Sequence, residues 1–244
     1  MSAVRPLAIG HRGAPRVAPE NTLASFEHAL AQTWIDAVEL DVHLSRDEKA
    51  VVIHDDTLDR TTREKGFVSE RSAAELRALG LPMLEDVLAL ARERGKRVFV
   101  ELKMQPRFYA KLPATVAALV RSLGVERSVV VISFDHRALV ALKRAAPSIE
   151  CGALCGQRLH EPARYVKEYL GVEWWLPGAI GEVDSIGFFS AAREPDRASF
   201  EQCRQAGVRT AVWTVNHPEL MKGVLALGAD GVISDDLELL RLTT

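Results

Sequence analysis

Two neighbouring stretches decide the fold: Ala37-Val38-Glu39-Leu40-Asp41-Val42 and, a few residues later, Ala50-Val51-Val52-Ile53-His54. Both are β-rich, and only residues 43–49, with Asp47 and Glu48 at the turn, lie between them. A parallel crossover needs a dozen or more residues, so the second stretch is expected to return as an antiparallel hairpin arm. With that arm set aside, eight β-runs remain, at residues 7–10, 37–42, 97–102, 128–134, 149–154, 183–188, 208–215 and 229–234. Helical patterns fall between most of them, as in residues 22–32, where Leu23, Phe26, Ala29 and Leu30 repeat at helical spacing behind Asn21 or Thr22 as N-cap. Eight β/α alternations over this length predict an α/β fold, a (β/α)8 TIM barrel. No proline- or glycine-rich linker splits the chain, so residues 1–244 read as a single domain with a hairpin and loop insertion over about residues 43–82. Residues 158–190 are the irregular part, and there Trp174-Trp175 reads either as a wall for substrate or as packing.

Composition narrows the function. The 244 residues are 48% hydrophobic and 26% charged, as in ordinary soluble globular proteins. Thirty-one basic residues against 33 acidic ones leave a net charge of −2. Nucleic-acid binding, which needs a basic surplus to replace condensed counterions, is not expected. Polybasic attachment to anionic membrane is equally unsupported. Apolar runs such as Val129-Val130-Val131-Ile132 are too short to span a bilayer, so stable membrane insertion is not expected either. Cys151, Cys155 and Cys203 are too few for a disulfide framework. With no signal-type apolar region near Pro6, the expectation is a cytoplasmic protein. Oligomeric state is not legible in the sequence.

The polar residues inside the β-runs carry the chemistry. Glu39 and Asp41 lie two apart in a strand and share one face. Two ionised carboxylates buried side by side repel and are costly to desolvate, and a hard divalent cation, Mg²⁺ or Ca²⁺, removes both problems. Glu101 and Lys103 repeat the spacing in Val98-Phe99-Val100-Glu101-Leu102-Lys103. His11 and Arg12 end the first strand, Gly13 lets the backbone turn there, and His54 ends the hairpin arm. Strand ends are where a barrel builds its site. Two histidines can supply an acid and a base near neutral pH, and arginine and lysine suit a phosphate.

These residues sit in blocks that resemble the glycerophosphodiester phosphodiesterase family: His11-Arg12-Gly13-Ala14, Ala18-Pro19-Glu20-Asn21-Thr22, Glu39-Leu40-Asp41-Val42 and Val52-Ile53-His54-Asp55. The likeness continues through Leu58-Asp59-Arg60-Thr61-Thr62, Val100-Glu101-Leu102-Lys103, Val212-Trp213-Thr214-Val215-Asn216 and Gly231-Val232-Ile233-Ser234-Asp235. It spans nearly the whole chain in order. It implies a (β/α)8 barrel and metal-dependent cleavage of a small-molecule glycerophosphodiester to glycerol 3-phosphate and an alcohol. By position it implies Glu39, Asp41 and Glu101 as ligands of one divalent cation, His11 and His54 as acid and base, and Arg12 and Lys103 as phosphate contacts. Trp213 matches an aromatic beside the substrate. Ser234 stands where threonine is usual, and Leu237 where proline is frequent.

A lysophospholipase D-type enzyme on the same fold and a non-catalytic phosphodiester-binding homologue remain alternatives. Ser133-Phe134-Asp135-His136 holds the residue types of a hydrolase triad but lacks the Gly-x-Ser-x-Gly elbow, so it reads as a strand end passing into a helix cap at Asp135. Cys151 and Cys155 read as buried thiols, and His43 as a residue at or behind the rim of the site.

Overall fold

Near-continuous apolar runs form strands because both faces of a parallel barrel wall are buried, one by the barrel interior and one by helices. The computed structural model describes residues 5–179 and 197–244. Its strands are β1 (Leu7–Gly10), β2 (Ala37–Leu44), β3 (Ala50–Val52), β4 (Arg97–Leu102), β5 (Val129–Ser133), β6 (Glu150–Cys155), β7 (Trp174–Pro177), β8 (Arg209–Val212) and β9 (Gly231–Ser234). The sheet runs β1-β9-β8-β7-β6-β5-β4-β2-β3, and a parallel β1–β2 pairing, Ile9 opposite Ala37, closes it. The result is a closed barrel of eight parallel strands, a (β/α)8 fold. β3 is the ninth strand and lies outside the ring. It pairs antiparallel with the projecting end of β2, Val42 opposite Val52 and Leu44 opposite Ala50, as the short connection requires.

Helices α1 (Leu23–Leu30), α2 (Ala73–Ala78), α3 (Leu84–Glu93), α4 (Leu112–Leu123), α5 (His136–Ala145), α6 (Pro162–Arg164, continuing as a wider turn through Tyr165–Leu170), α7 (Arg197–Ala206) and α8 (Pro218–Leu227) follow the strands. Thr22 caps α1 by accepting from Ser25 N, and Asp135 caps α5 by accepting from Arg137 N. The reading of Asp135 as a cap therefore holds. Among the described residues, no helix is long and apolar enough to cross a membrane.

One strand differs from expectation. The sixth barrel position is filled by β7, Trp174–Pro177, whereas the run at residues 183–188 lies outside the described residues. Four residues bounded by Gly171 at φ 67 and by Pro177 give too short a pattern to stand out, although two adjacent tryptophans suit a strand buried on both faces. Trp174 points into the barrel and meets Phe99 edge-on at 5.5 Å, while Trp175 points outward against Phe200 of α7 at 5.8 Å. Both are packing residues.

The barrel interior is filled by Ile9, Phe99, Ile132, Leu154, Trp174 and Leu176, among others. Its two large aromatics need a small partner. A Cβ on Gly152 would lie 2.4 Å from Leu176 Cδ1 and 2.8 Å from Trp174 Cβ, so only glycine fits there. At the strand starts Glu150 pairs with Arg97 and Arg209, each at 2.7 Å, and accepts from Trp174 Nε1 at 3.1 Å. The apolar layer thus separates an ion cluster at the bottom from the polar residues at the strand exits. The segment after β3 has its own small core of Val51, Ile53, Leu58, Val68, Leu76 and Met83.

Candidate active site

The alternation that turns Ile9, Ala37, Phe99 and Ala211 into the barrel also turns the next residues of like parity inward at the strand exits. Those residues are His11, Glu39 and Asp41, Glu101 and Lys103, and Trp213. Carboxylate oxygens of Glu39, Asp41 and Glu101 lie within 4.8 Å of one another, and all three residues are buried. Lys103 Nζ stands 2.9 Å from Asp41 Oδ1 and 2.7 Å from Glu101 Oε1.

The loop after β1 is built to bring Arg12 over this cluster. Arg12 and Asn21 adopt left-handed backbone at φ 51 and 56, and Gly13 sits at φ 90, where a Cβ would meet Ser25 Oγ at 2.4 Å. Ser25 Oγ donates to Arg12 O and accepts from Ala14 N, holding the turn. Arg12 N then donates to Glu39 Oε2 at 3.1 Å, Nη1 donates to Glu20 Oε1 at 2.9 Å, and Nε lies 3.3 Å from Asp41 Oδ2. Asn21 Nδ2 donates to Asp41 Oδ2 at 2.8 Å. Glu20 and Asn21, at the entry to α1, therefore contact the site's residues directly.

His54 follows β3, whose pairing with β2 places it at the same mouth. The buried His43 donates from Nε2 to His54 O at 2.9 Å, which puts His43 behind the site. His54 Nδ1 lies 2.7 Å from Asp55 Oδ1, and Arg60 grips Asp55 through Nε at 2.7 Å and Nη2 at 3.1 Å. Arg60 also reaches Glu20 at 2.7 Å, tying the insertion to the Arg12 loop. His11 Nδ1 has a carboxylate of its own, Asp235 Oδ1 at 2.7 Å. Each ring thus donates its Nδ1–H to an acid. The Asp235 contact is one that the sequence reading missed, because nothing near His11 in the chain signals it.

A cavity of about 110 Å³ joins these groups. Its polar wall is His11, Arg12, Glu39, His54, Glu101 and Lys103, its floor includes Ile132, Leu154 and Ile233, and Phe134 and Trp213 form its apolar side. Trp213 donates from Nε1 to Leu176 O at 2.8 Å and meets Phe134 edge-on at 5.3 Å. All eight residues singled out in the sequence come together here except that Asp41 lies just behind the lining, against Arg12 and Lys103.

Charges at the site are unequally balanced. Burial would raise the Asp41 pKa, but Lys103 and Arg12 hold it well below the carboxylate range. Burial likewise works against a charged Lys103, yet Asp41 and Glu101 keep its pKa raised. For Glu39 the pull of His11 and Arg12 is not enough. Burial, with the Asp41 charge adding to it, pushes its pKa up to about 8. Burial also raises Glu101, against the pull of Lys103. For His11, burial favours the neutral ring but the Asp235 hydrogen bond and the Glu39 charge outweigh it, so its pKa is raised. For His54, burial together with Lys103 and Arg12 outweighs Asp41, so its pKa is lowered. Three buried hard oxygen donors, one of them a carboxyl that its positive neighbours do not keep ionised, fit a divalent metal ion.

Comparison with known proteins identifies a family. The profile of the glycerophosphoryl diester phosphodiesterase family matches residues 11–239. The chain is 31% identical over 250 aligned residues to a glycerophosphodiester phosphodiesterase of Caldanaerobacter subterraneus subsp. tengcongensis, covering 97% of each chain. Among solved structures, a glycerophosphodiester phosphodiesterase from Agrobacterium tumefaciens superposes with a TM-score of 0.78 at 28% identity, over 97% of this chain and 99% of that one. An Oleispira antarctica phosphodiesterase in complex with the product sn-glycerol-3-phosphate has a TM-score of 0.78 at 26% identity, over 98% of this chain and 96% of that one.

Proposed function

The chain belongs to the glycerophosphoryl diester phosphodiesterase family, and from that membership we propose that it hydrolyses glycerophosphodiesters to sn-glycerol 3-phosphate and an alcohol. The observation that carries this reading is the convergence of two histidines, two bases and three carboxylates on one small cavity with an apolar side. The product found in the Oleispira relative supports the choice of bond.

In this reading Arg12 and Lys103 neutralise the phosphodiester, Arg12 by its planar fork and Lys103 as a point charge. Glu39, Asp41 and Glu101 hold a divalent cation, Mg²⁺ or Ca²⁺, which when bound supplies Lewis-acid stabilisation of charge on the phosphoryl oxygens. One histidine takes the proton from the attacking oxygen and the other delivers a proton to the leaving alkoxide. Both present Nε2 to the cavity, because each Nδ1 is engaged by an acid. The floor of Ile132, Leu154 and Ile233 keeps the surroundings dry, which strengthens every charge contact there. Trp213 and Phe134 offer an apolar face to the organic part of the substrate.

The test is turnover of glycerophosphocholine with Ca²⁺, Mg²⁺ or chelator, beside a lysophospholipid. Glycerol 3-phosphate is the expected product, with activity lost in chelator and restored by the cation. H11A and H54A should each lose roughly 10²–10⁴-fold in kcat. Near-full turnover in both variants would refute the assignment of the histidines. Release of phosphocholine would refute the choice of bond, and preference for the lysophospholipid would shift the substrate class.

A further inference from the structure

Asp235 leaves β9 a full 224 residues after His11, yet its Oδ1 is 2.7 Å from His11 Nδ1. Its other oxygen accepts from Asn216 Nδ2 at 2.6 Å, where the chain leaves β8. Asn216 commits its remaining side too. Its Oδ1 accepts from Asp235 N at 3.0 Å and from the Ser234 hydroxyl at 3.2 Å. The substitution of serine for threonine at residue 234 keeps the hydroxyl that this arrangement uses. Two barrel strands therefore clamp one carboxylate in place.

That carboxylate is not needed to build the turn it sits in. The neighbouring Asp236 does so, its Oδ1 accepting from Glu238 N at 3.0 Å and Leu239 N at 3.1 Å, while Ser234 Oγ accepts from Asp236 N at 3.0 Å. Both oxygens of Asp235 are left for Asn216 and His11. A neutral imidazole carries a single N–H, and an acceptor at Nδ1 keeps it there, so the lone pair stays on Nε2. His11 lines the cavity, and its Nε2 stands 3.8 Å from Glu39 Oε2, too far to bond it.

We propose that Asp235, held by Asn216, is the positioning residue for His11: it fixes the ring orientation and the tautomer whose Nε2 faces the reacting oxygen. The proposal rests on the reading of His11 as an acid/base group.

The test uses the full chain with Ca²⁺ or Mg²⁺ present and the variants D235N, N216A, H11A and D235N/H11A. Outer groups that orient an inner ligand are worth roughly 10–100-fold. D235N should lower kcat on glycerophosphocholine by about that factor with KM changed far less, and N216A should shift kcat the same way by less. In the H11A background D235N should cost nothing further, because a residue acting through His11 has nothing left to act on. The ¹⁵N shifts of the His11 ring, assigned by their loss in H11A at a pH that leaves the ring neutral, should show the Nδ1–H tautomer in the parent and its loss in D235N. The proposal is overturned if D235N keeps its kcat, if it costs the same factor with and without His11, or if the tautomer does not change. If H11A activity falls below detection, the ring shifts decide alone. Full activity in H11A would sink the catalytic reading of His11 instead, and the tautomer would still report on the positioning.

Discussion

Uptake of the cation should expel a proton, and Glu39 is its source. Burial and the neighbouring Asp41 push the Glu39 pKa from an ordinary 4.5 up to about 8, against the pull of His11 and Arg12. At neutral pH the cation-free protein therefore holds Glu39 as the acid, and a metal ion needs it as the carboxylate. Below about pH 8 apparent affinity should rise with pH by up to tenfold per unit, ~1.4 kcal/mol, and should level off above it. Folding stability runs the other way. The folded chain keeps a proton that the unfolded chain gives up above 4.5, so the contribution of Glu39 is fully present below 4.5 and is lost as pH rises toward about 8. Calorimetric titration with Ca²⁺ and with Mg²⁺ in two buffers of different ionisation heat measures the protons released. Well below pH 8 the count should approach one per cation, above it the count should fall toward none, and Glu39→Gln should bind more weakly without release. A count that stays near zero throughout, or that is unchanged in Glu39→Gln, would refute this account of the cluster.

Two further outcomes follow from the barrel interior. Glu150, where burial is outweighed by Arg209, Trp174 and Arg97, has its pKa held at about 2, so its contribution is complete above 4.5 and lost as pH falls through about 2. It is partly exposed, so Glu150→Gln should cost only ~1–2 kcal/mol at neutral pH in a urea melt, and the gap to the parent should close as the solution is acidified. Gly152→Ala places a methyl 2.4 Å from Leu176 Cδ1 and should destabilise by about 1–3 kcal/mol with the active-site chemistry intact. A melt matching the parent would show that the Trp174–Leu176 layer yields more easily than close packing implies.

Much of the fold was legible because the barrel writes its two-sided burial into the sequence. Val129-Val130-Val131-Ile132 reads as a buried strand without any partner in view, and the short spacing before Ala50 forces β3 to be antiparallel. The Trp174–Pro177 strand was hidden because its signal is four residues long and opens with two tryptophans, a pair that also suits a binding surface. Only the neighbouring register, Gly152 opposite Trp174, explains why such bulk belongs inside: the space that Trp174 takes is the space that Gly152 gives up.

The inner ring of the site was legible for the same reason. Glu39, Asp41, Glu101 and Lys103 are charges at alternate positions of buried strands, where charge without a partner is too costly to persist. The outer ring carries no such contradiction. Glu20, Asn21, Arg60, Asn216 and Asp235 lie in turns and connecting loops, where polar residues satisfy local backbone and need no further explanation. What separates Asp235 from the adjacent Asp236 is not residue type or exposure but which of the two exits from β9 on the side of β1. Asp236 caps the last helical turn and meets Arg16, while Asp235 meets His11. Closure of the barrel, through the pairing of β1 with β9, makes neighbours of the first and last strands. A contact made only by that closure has no local signature, so the positioning of His11 becomes readable in three dimensions and not before.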